Sequence, residues 1–296
     1  MKRKVDALDI FIWVFCGLFT LLCFYPIYNV LINTISDNQL VQANKVMLYP
    51  EGIHFKNFEQ LFRMNGIFQA ALVSVGRTVI GTVISVLCTA FMGYAVTRQE
   101  LWHRKFWYRF IIITMYFSSG IIPVYLLMFN LKLIDNPLVY VVGGFAPAAF
   151  SMILVKTYIE SLSASLDESA EIDGAGYMRR FWQIMFPLCK PIIATLTVFA
   201  AVGQWNAVMD TVLYVPNPKW HTLQYVLFSF LKQADRLAAQ VRNSGGNVTA
   251  DMLRTSISPA GVRYTITAVT IIPILLVYPF LQRYFVKGIM IGAIKG

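Results

Sequence analysis

Charged residues are scarce in this sequence. Asp, Glu, Lys and Arg together make up 14% of the chain, whereas hydrophobic residues make up 57%. An average soluble domain carries roughly 25% charged residues. The deficit argues against an ordinary soluble domain and indicates a chain that lies largely in lipid.

Residues that carry catalytic or metal chemistry are also few. The four cysteines lie in or at the ends of apolar stretches with no disulfide or metal spacing, and the three histidines lie on separate loops. The sequence contains no glycine-rich phosphate loop, no Ser-His-Asp set and no paired carboxylates. We therefore expect no catalytic residue, no metal and no cofactor in this chain, which disfavours a membrane-embedded enzyme.

Six stretches contain no charged residue at all, and each is 19 to 27 residues long. A helix rises 1.5 Å per residue, so about 20 residues cross the ~30 Å hydrocarbon core of a bilayer. We expect an all-α integral membrane protein with six transmembrane helices. The six stretches are 10–36, 78–97, 110–131, 136–155, 191–209 and 264–282.

The basic residues predict the orientation. If both termini are cytoplasmic, 14 of the 25 Lys and Arg residues lie in inner segments, mostly beside the ends of spans. Anionic lipids of the inner leaflet select such a pattern, so the net charge of +10 requires no nucleic-acid partner. The first apolar stretch is too long for a signal-peptide core and lacks a small-x-small cleavage site, so we expect it to remain as the first span.

A long polar segment lies between the fourth and fifth apolar stretches, from Ser165 to Pro187. Ser165 followed by Glu168 forms a capping box, which predicts a helix start. Gly174 and Gly176 predict its end two to three turns later. Small residues recur at one-turn spacing and leave a low surface on one side: Ser169, Ala170, Asp173 and Gly174. Such a helix suits a groove of a soluble partner, and an ordinary interfacial loop helix is the alternative.

This segment resembles the EAA loop of binding-protein-dependent ABC importer permeases. The resemblance rests on Glu168-Ser169-Ala170, on Gly174 and on Phe186-Pro187-Leu188, with Ser169 and Phe186 as mild departures. Ile172-Asp173-Gly174-Ala175 resembles the I-D-G-A of the carbohydrate-uptake branch. Further similar phrases extend the resemblance over about residues 50–296: Asn57-Phe58, Gly93-Tyr94-Ala95 with Arg98, Gln204-Trp205-Asn206, and the ending from Gln282 to Gly296.

The resemblance implies a type I ABC importer permease fold with a cytoplasmic coupling helix in the bacterial plasma membrane. The implied partners are a homologous second permease, a cytoplasmic ATPase dimer that binds ATP and Mg, and an extracellular or periplasmic solute-binding protein. It implies alternating access that is driven through the coupling helix. The residues expected to couple to the ATPase are Glu168, Ser169, Ala170, Asp173, Gly174 and Pro187, and those of the C-terminal tail are Gly292, Lys295 and Gly296.

The spans and the resemblance together divide the chain into segments. We expect an N-terminal tail and first span over 1–36, an outer loop over 37–69, a five-helix core over 70–290 and a cytoplasmic tail over 291–296. Within the core we expect a coupling loop over 159–190 and an outer loop over 210–263. The outer loops are expected to meet the binding protein or, alternatively, to be solvated connectors.

The cargo implied by the resemblance is a sugar or an oligosaccharide. Another small solute is the alternative within the importer class, and a self-sufficient secondary transporter is a weaker rival because no repeat or intramembrane carboxylate supports it. Arg77 lies about two turns inside the second span from its outer end, where it lines the substrate path, pairs with the partner permease or reaches the outer interface. Trp205 and Asn206 offer a stacking face and a hydrogen bond to a sugar ring, or else pack between helices.

Overall fold

The computed structural model describes residues 6–163, 165–243 and 259–293, and all regular structure within these ranges is helical. The helices of the first half are α1 Ala7–Ile35, α2 Asn38–Gln42, α3 Lys56–Arg63, α4 Ile67–Ala95, α5 Arg104–Tyr116, α6 Ile121–Asn130, α7 Val139–Val142 and α8 Ala149–Ser161. Those of the second half are α9 Ser165–Ile172, α10 Tyr177–Arg180, α11 Phe186–Leu188, α12 Lys190–Asn206, α13 Met209–Tyr214, α14 Leu223–Asn243 and α15 Pro259–Ala293.

Three helical stretches are long and apolar enough to cross a bilayer: Leu8–Ile35, Ile67–Ala95 and Val139–Ser161. Two bent pairs, α5 with α6 and α10–α11 with α12, raise the number to five if each pair counts as one span. A shorter apolar helix, Gly261–Val277, lies within α15. The all-α, membrane-spanning class predicted from composition is confirmed. The described residues contain three to five candidate spans, and the count of six stays a prediction.

The third apolar stretch is not one continuous helix. Between α5 and α6 the chain bends by 118°. Phe117 is extended and Gly120 has φ +83°, a left-handed conformation that glycine adopts without steric cost. Pro123 lies in the first turn of α6, where the missing N–H would have had no helical partner. The local sequence thus breaks a stretch that run length alone predicts as a single span.

The described chain forms two compact units, Met1–Ile67 with Leu227–Pro273 and Phe68–Val226 with Ile274–Gly296. In the first unit, Asn57 is fully buried and donates from Nδ2 to the carbonyl oxygen of Thr34 at 3.0 Å. Its Oδ1 accepts from Asn38 Nδ2 at 2.9 Å. A Cβ at Gly261 would lie 2.0 Å from Asn38 Oδ1, so only glycine fits beside this amide pair.

In the second unit, α4 packs against α8, α12 and a π-helical segment, Phe181–Met185. The buried side chains of this core are Ala90, Tyr94, Val155, Ile159, Phe181, Met185, Cys189 and Leu196. Gly93 permits the close approach of α4 to α8, because a Cβ there would lie 2.6 Å from Val155 Cγ1. Small residues at helix contacts are the usual means of such packing in membrane proteins.

We expect Gly93→Ala to destabilise the purified protein by about 1–3 kcal/mol, since the added methyl overpacks the contact with Val155. The measurement is the midpoint of thermal unfolding in mild detergent. The second substitution Val155→Ala should restore part of the loss. Gly76→Ala is the matched control, because its Cβ meets no atom within 4 Å. Equal midpoints for Gly93→Ala and Gly76→Ala would contradict the packing argument.

Candidate functional site

The polar segment after the fourth apolar stretch forms α9, whose ends agree with the sequence prediction. Ser165 is its first helical residue. At the other end Gly174 has φ +75°. The N–H of Ala175 donates to the carbonyl of Ala170 at 2.9 Å, and the N–H of Gly174 donates to that of Glu171 at 2.9 Å. This pair of bonds with a left-handed glycine is a Schellman motif, which fixes the length and exit of the helix.

The side of α9 that faces the rest of the protein, which we call its inner side, is held by a network of two arginines and two carboxylates. Asp167 Oδ2 accepts hydrogen bonds from Arg98 Nη1 and, at 3.3 Å, from Arg180 Nη1. Arg180 Nη1 also donates to Glu171 Oε2 at 2.9 Å. The Arg180 side chain is only 3% exposed. Charge-assisted hydrogen bonds in such a shielded place are stronger than those between neutral groups.

Each arginine of this network lies against the ring of a tyrosine. The Arg98 guanidinium lies 4.5 Å from the ring centroid of Tyr94, and that of Arg180 lies 4.8 Å from the centroid of Tyr177. Tyr94 Oη donates to the carbonyl oxygen of Tyr177 at 3.3 Å. Tyr94 lies in the last turn of α4 and Arg98 lies three residues beyond its end, so the network ties α9 to the end of α4 on one side and to α10 on the other.

Three of the residues predicted to couple to an ATPase are exposed: Glu168 and Ser169 on α9, and Asp173 directly after it. We call this exposed side of the segment the outer side of α9. Ala170 is buried, at 8% exposure, so it packs inside this chain. Ile172 was not among the predicted residues; it is apolar, lies on α9 and is 86% exposed. The phrase Ile172-Asp173-Gly174-Ala175 was the available signal, since it places an apolar residue directly before the helix end.

Exposed apolar side chains continue beyond Ile172. We call Leu166, Ile172, Tyr177 and Met178 the α9 apolar surface, because all four are exposed on or beside α9. Pro187 lies in the first turn of α11, before a bend of 82° that leads into α12. Its predicted role in fixing the return of the chain remains a prediction.

Arg77, predicted on the substrate path, against the partner permease or at the outer interface, is buried and paired within this chain, with its side chain 4% exposed. Nε and Nη2 donate to Gln204 Oε1 at 3.4 and 3.2 Å. Nη1 donates to the carbonyl oxygen of Ala207 at 3.2 Å and to Asp210 Oδ1 at 3.1 Å, and Nη2 donates to Asp210 Oδ2. The guanidinium also lies 4.5 Å from the ring centroid of Tyr140. The side chain therefore points into the protein.

A cavity of about 380 Å³ adjoins this cluster and is lined by Arg77 and Gln204 among others. Trp205 and Asn206 are not among its lining residues. Trp205 is buried, and Asn206 is exposed and accepts from Gln224 Nε2 at 3.0 Å. The structure thus separates these two from the Arg77 cluster and brings their neighbour Gln204 into it.

The predicted C-terminal site falls at the edge of the described residues. Gly292 lies within the backbone of α15. Lys295 and Gly296 lie outside the described residues. The predicted contact of this tail with an ATPase therefore stays a prediction.

Comparison with known proteins assigns the class. The family described as "Binding-protein-dependent transport system inner membrane component" matches residues 81–291, which is more than half of the chain. The chain belongs to this family, and it is a permease subunit, a transport component rather than a catalytic one. The family predicted from the EAA-like loop is confirmed.

Individual relatives match along the whole chain. The sequence is 31% identical to the polygalacturonan/rhamnogalacturonan transport system permease protein YtcP of Bacillus subtilis (strain 168), over 100% of both chains. It is 30% identical to Protein LplC of the same organism, over 99% of this chain and 96% of that one. The fold matches a chain of a bacterial ABC transporter involved in the import of the acidic polysaccharide alginate. That match has a TM-score of 0.82 and 29% identity, over 96% of this chain and 99% of that chain.

We expect Asp167→Asn to loosen α9, because it weakens the hydrogen bonds from both Arg98 and Arg180. Losing charge-assisted bonds of this kind costs about 1.5–3 kcal/mol. Amide hydrogen exchange in α9 should therefore accelerate about tenfold or more, as read by mass spectrometry of the detergent-solubilised protein. Asp173→Asn changes the same chemistry at an exposed position of the same segment and should leave the exchange unaltered. Equal protection in both variants would refute the anchoring role.

Proposed function

We propose that this chain is a transmembrane permease of an ATP-driven, binding-protein-dependent oligosaccharide importer, and that α9 is its coupling helix. The observation that carries the proposal is the combination of a fixed inner side and an open outer side on one short helix. Asp167 and Glu171 fasten the inner side to Arg98 and Arg180. The outer side presents carboxylates and the α9 apolar surface to a partner.

A helix that is fixed to its own chain on one side and open to a partner on the other can transmit the movement of that partner. An ATPase groove that engages Glu168, Ser169, Asp173 and Ile172 would move α9 as a unit, since the Schellman end at Gly174 prevents fraying. Through Arg98 the movement reaches α4, and through Arg180 it reaches α10 and the bend into α12. The motion of ATPases beneath the membrane would thereby be converted to alternating access in the spans.

Besides this chain, the proposed assembly contains a homologous second permease, an ATPase dimer that binds ATP and Mg, and a solute-binding protein on the outer side of a bacterial plasma membrane. We propose six spans with both termini cytoplasmic. The five candidate spans above supply five of them, and α15, which contains the apolar helix Gly261–Val277, supplies the sixth. The basic residues beside the inner span ends support this orientation.

The first test concerns Gly174, which has φ +75° although its surroundings leave room for a side chain. Gly174→Arg forces a side chain into a left-handed conformation at a cost of about 1–2 kcal/mol, and it places a bulky cation at the end of α9. Tagged chain is purified from its native membrane in mild detergent. We expect wild type to retain a second permease and an ATPase, and the variant to retain only the permease.

Gly176→Arg is the matched control, because it adds the same side chain two residues away where φ is an ordinary −66°. It should retain more of the ATPase than Gly174→Arg does. If Gly174→Arg kept its full complement of ATPase, α9 would not be the coupling helix. If wild type came out alone in several detergents, the importer assignment itself would fail.

We further propose that the cargo contains acidic sugars. Two of the similar proteins, the polygalacturonan/rhamnogalacturonan permease and the alginate transporter, are named for polymers rich in uronic acids. The cheapest measurement is growth and radiolabel uptake on short acidic and neutral oligosaccharides in the source organism, before and after deletion of the gene. Loss of uptake limited to oligogalacturonides or oligoalginates is expected. Loss limited to neutral oligosaccharides would overturn this choice of cargo.

A further inference from the structure

The cavity beside Arg77 lies between α4, α7, α12 and α13, all within the second unit. Its volume of about 380 Å³ is within the range of small-ligand pockets, about 300–1,000 Å³. Most of its lining is apolar, and its polar groups gather at one edge around Gln204 and Asp210. An apolar wall with a few convergent polar groups is the usual composition of a small-molecule site.

The polar edge coincides with a break in a helix. α12 ends at Asn206, Ala207 is extended, and α13 begins at Met209. The carbonyl oxygen of Ala207 is satisfied by Arg77 Nη1 rather than by a helical N–H. Within a membrane protein, non-helical backbone of this kind is tolerated where it is buried in protein or lines a cavity, and transporters place substrate at such breaks.

The charge at this edge is already balanced. Arg77 has five N–H donors, and the bonds to Gln204, Ala207 and Asp210 occupy all five of them. No arginine donor remains to pair with a carboxylate on a ligand. Asp210, by contrast, has a side chain that is 23% exposed, so its carboxylate is the accessible member of the ion pair.

The remaining hydrogen-bonding capacity fits hydroxyl groups. Asp210 supplies an acceptor, and Gln204 uses its Oε1 for Arg77, which leaves its amide nitrogen as a donor. A sugar hydroxyl both donates and accepts, so it can satisfy both groups at once. A uronate carboxylate would meet Asp210 without a counter-charge and would be repelled.

We propose that this cavity is a sugar-ring subsite on the translocation path, in which Gln204 and Asp210 form hydrogen bonds with ring hydroxyls. Arg77 is a positioning residue that holds both groups and the broken backbone in place. The proposal rests on the proposed oligosaccharide import. Acidic sugars enter with their hydroxyl edge toward this subsite and their carboxylate directed elsewhere.

The test uses the complete transporter with its binding protein in proteoliposomes, with uptake and ATP hydrolysis measured side by side. Gly203 lines the cavity, and a Cβ there meets no atom within 4 Å, so side chains of increasing length can be introduced without a clash at Cβ. In the series Gly203→Ala, Gly203→Val and Gly203→Leu, uptake should fall progressively, to a tenth or less with Leu. Stimulation of ATP hydrolysis by the loaded binding protein should persist. Gly17→Leu is the control, since Gly17 in α1 is equally open and lies far from the cavity in sequence.

A second variant tests the hydroxyl chemistry. Gln204→Glu keeps oxygen acceptors for Arg77 but exchanges the amide donor for a second carboxylate. Its thermal unfolding midpoint in mild detergent is therefore measured as well, to separate loss of the donor from a loosened fold. We expect at least tenfold lower uptake with ATPase stimulation retained. Full uptake in Gly203→Leu or in Gln204→Glu would overturn the subsite, as would parallel loss of uptake and ATPase stimulation in both. Failure of wild type to transport any sugar would instead refute the proposed function.

Discussion

Asp167 is the carboxylate that holds α9 against the ends of α4 and α10. It accepts hydrogen bonds from Arg98 at the end of α4 and from Arg180 at the end of α10, and both arginines lie against tyrosine rings. Removing one partner from a shielded ion pair leaves an uncompensated charge, which costs more than the pair itself contributes. The three groups therefore hold one another in place, and α9 is fixed to two other helices although it has only eight residues.

The same helix, α4, connects this network to the cavity. Arg77 lies within α4 and Arg98 lies just beyond its end, 21 residues later, which is roughly 30 Å at 1.5 Å per residue. That distance is close to the thickness of the hydrocarbon core. In the proposed importer, a rigid rod of this length carries at one end the ion pairs that hold α9 and at the other the ion pair that shapes the sugar subsite. Movement of α9 would therefore be transmitted through α4 to the subsite.

The structural features that could be predicted from the sequence are those that depend on neighbouring residues. The start of α9 at Ser165 and its end at Gly174 follow from neighbouring residues, as does the all-helical membrane class from apolar run length. The break at Gly120 was missed because counting uncharged residues ignores backbone conformation. Which side of α9 faces inward could not be predicted either. Spacing defines a helix face, but which face turns toward the protein depends on groups distant in sequence, such as Arg98 and Arg180. In the structure Ala170 is buried and Ile172 is exposed.

Rigid attachment of α9 to the end of α4 is the central claim, and a distance measurement tests it most directly. Spin labels at Ser165 of α9 and Trp102 beyond α4, both exposed, would be compared by pulsed electron resonance in the assembled transporter with and without trapped ATP. We expect the same distance distribution in both states, because α9 and the end of α4 move together. A distance that changes when ATP binds would contradict it, since α9 would then move independently of α4.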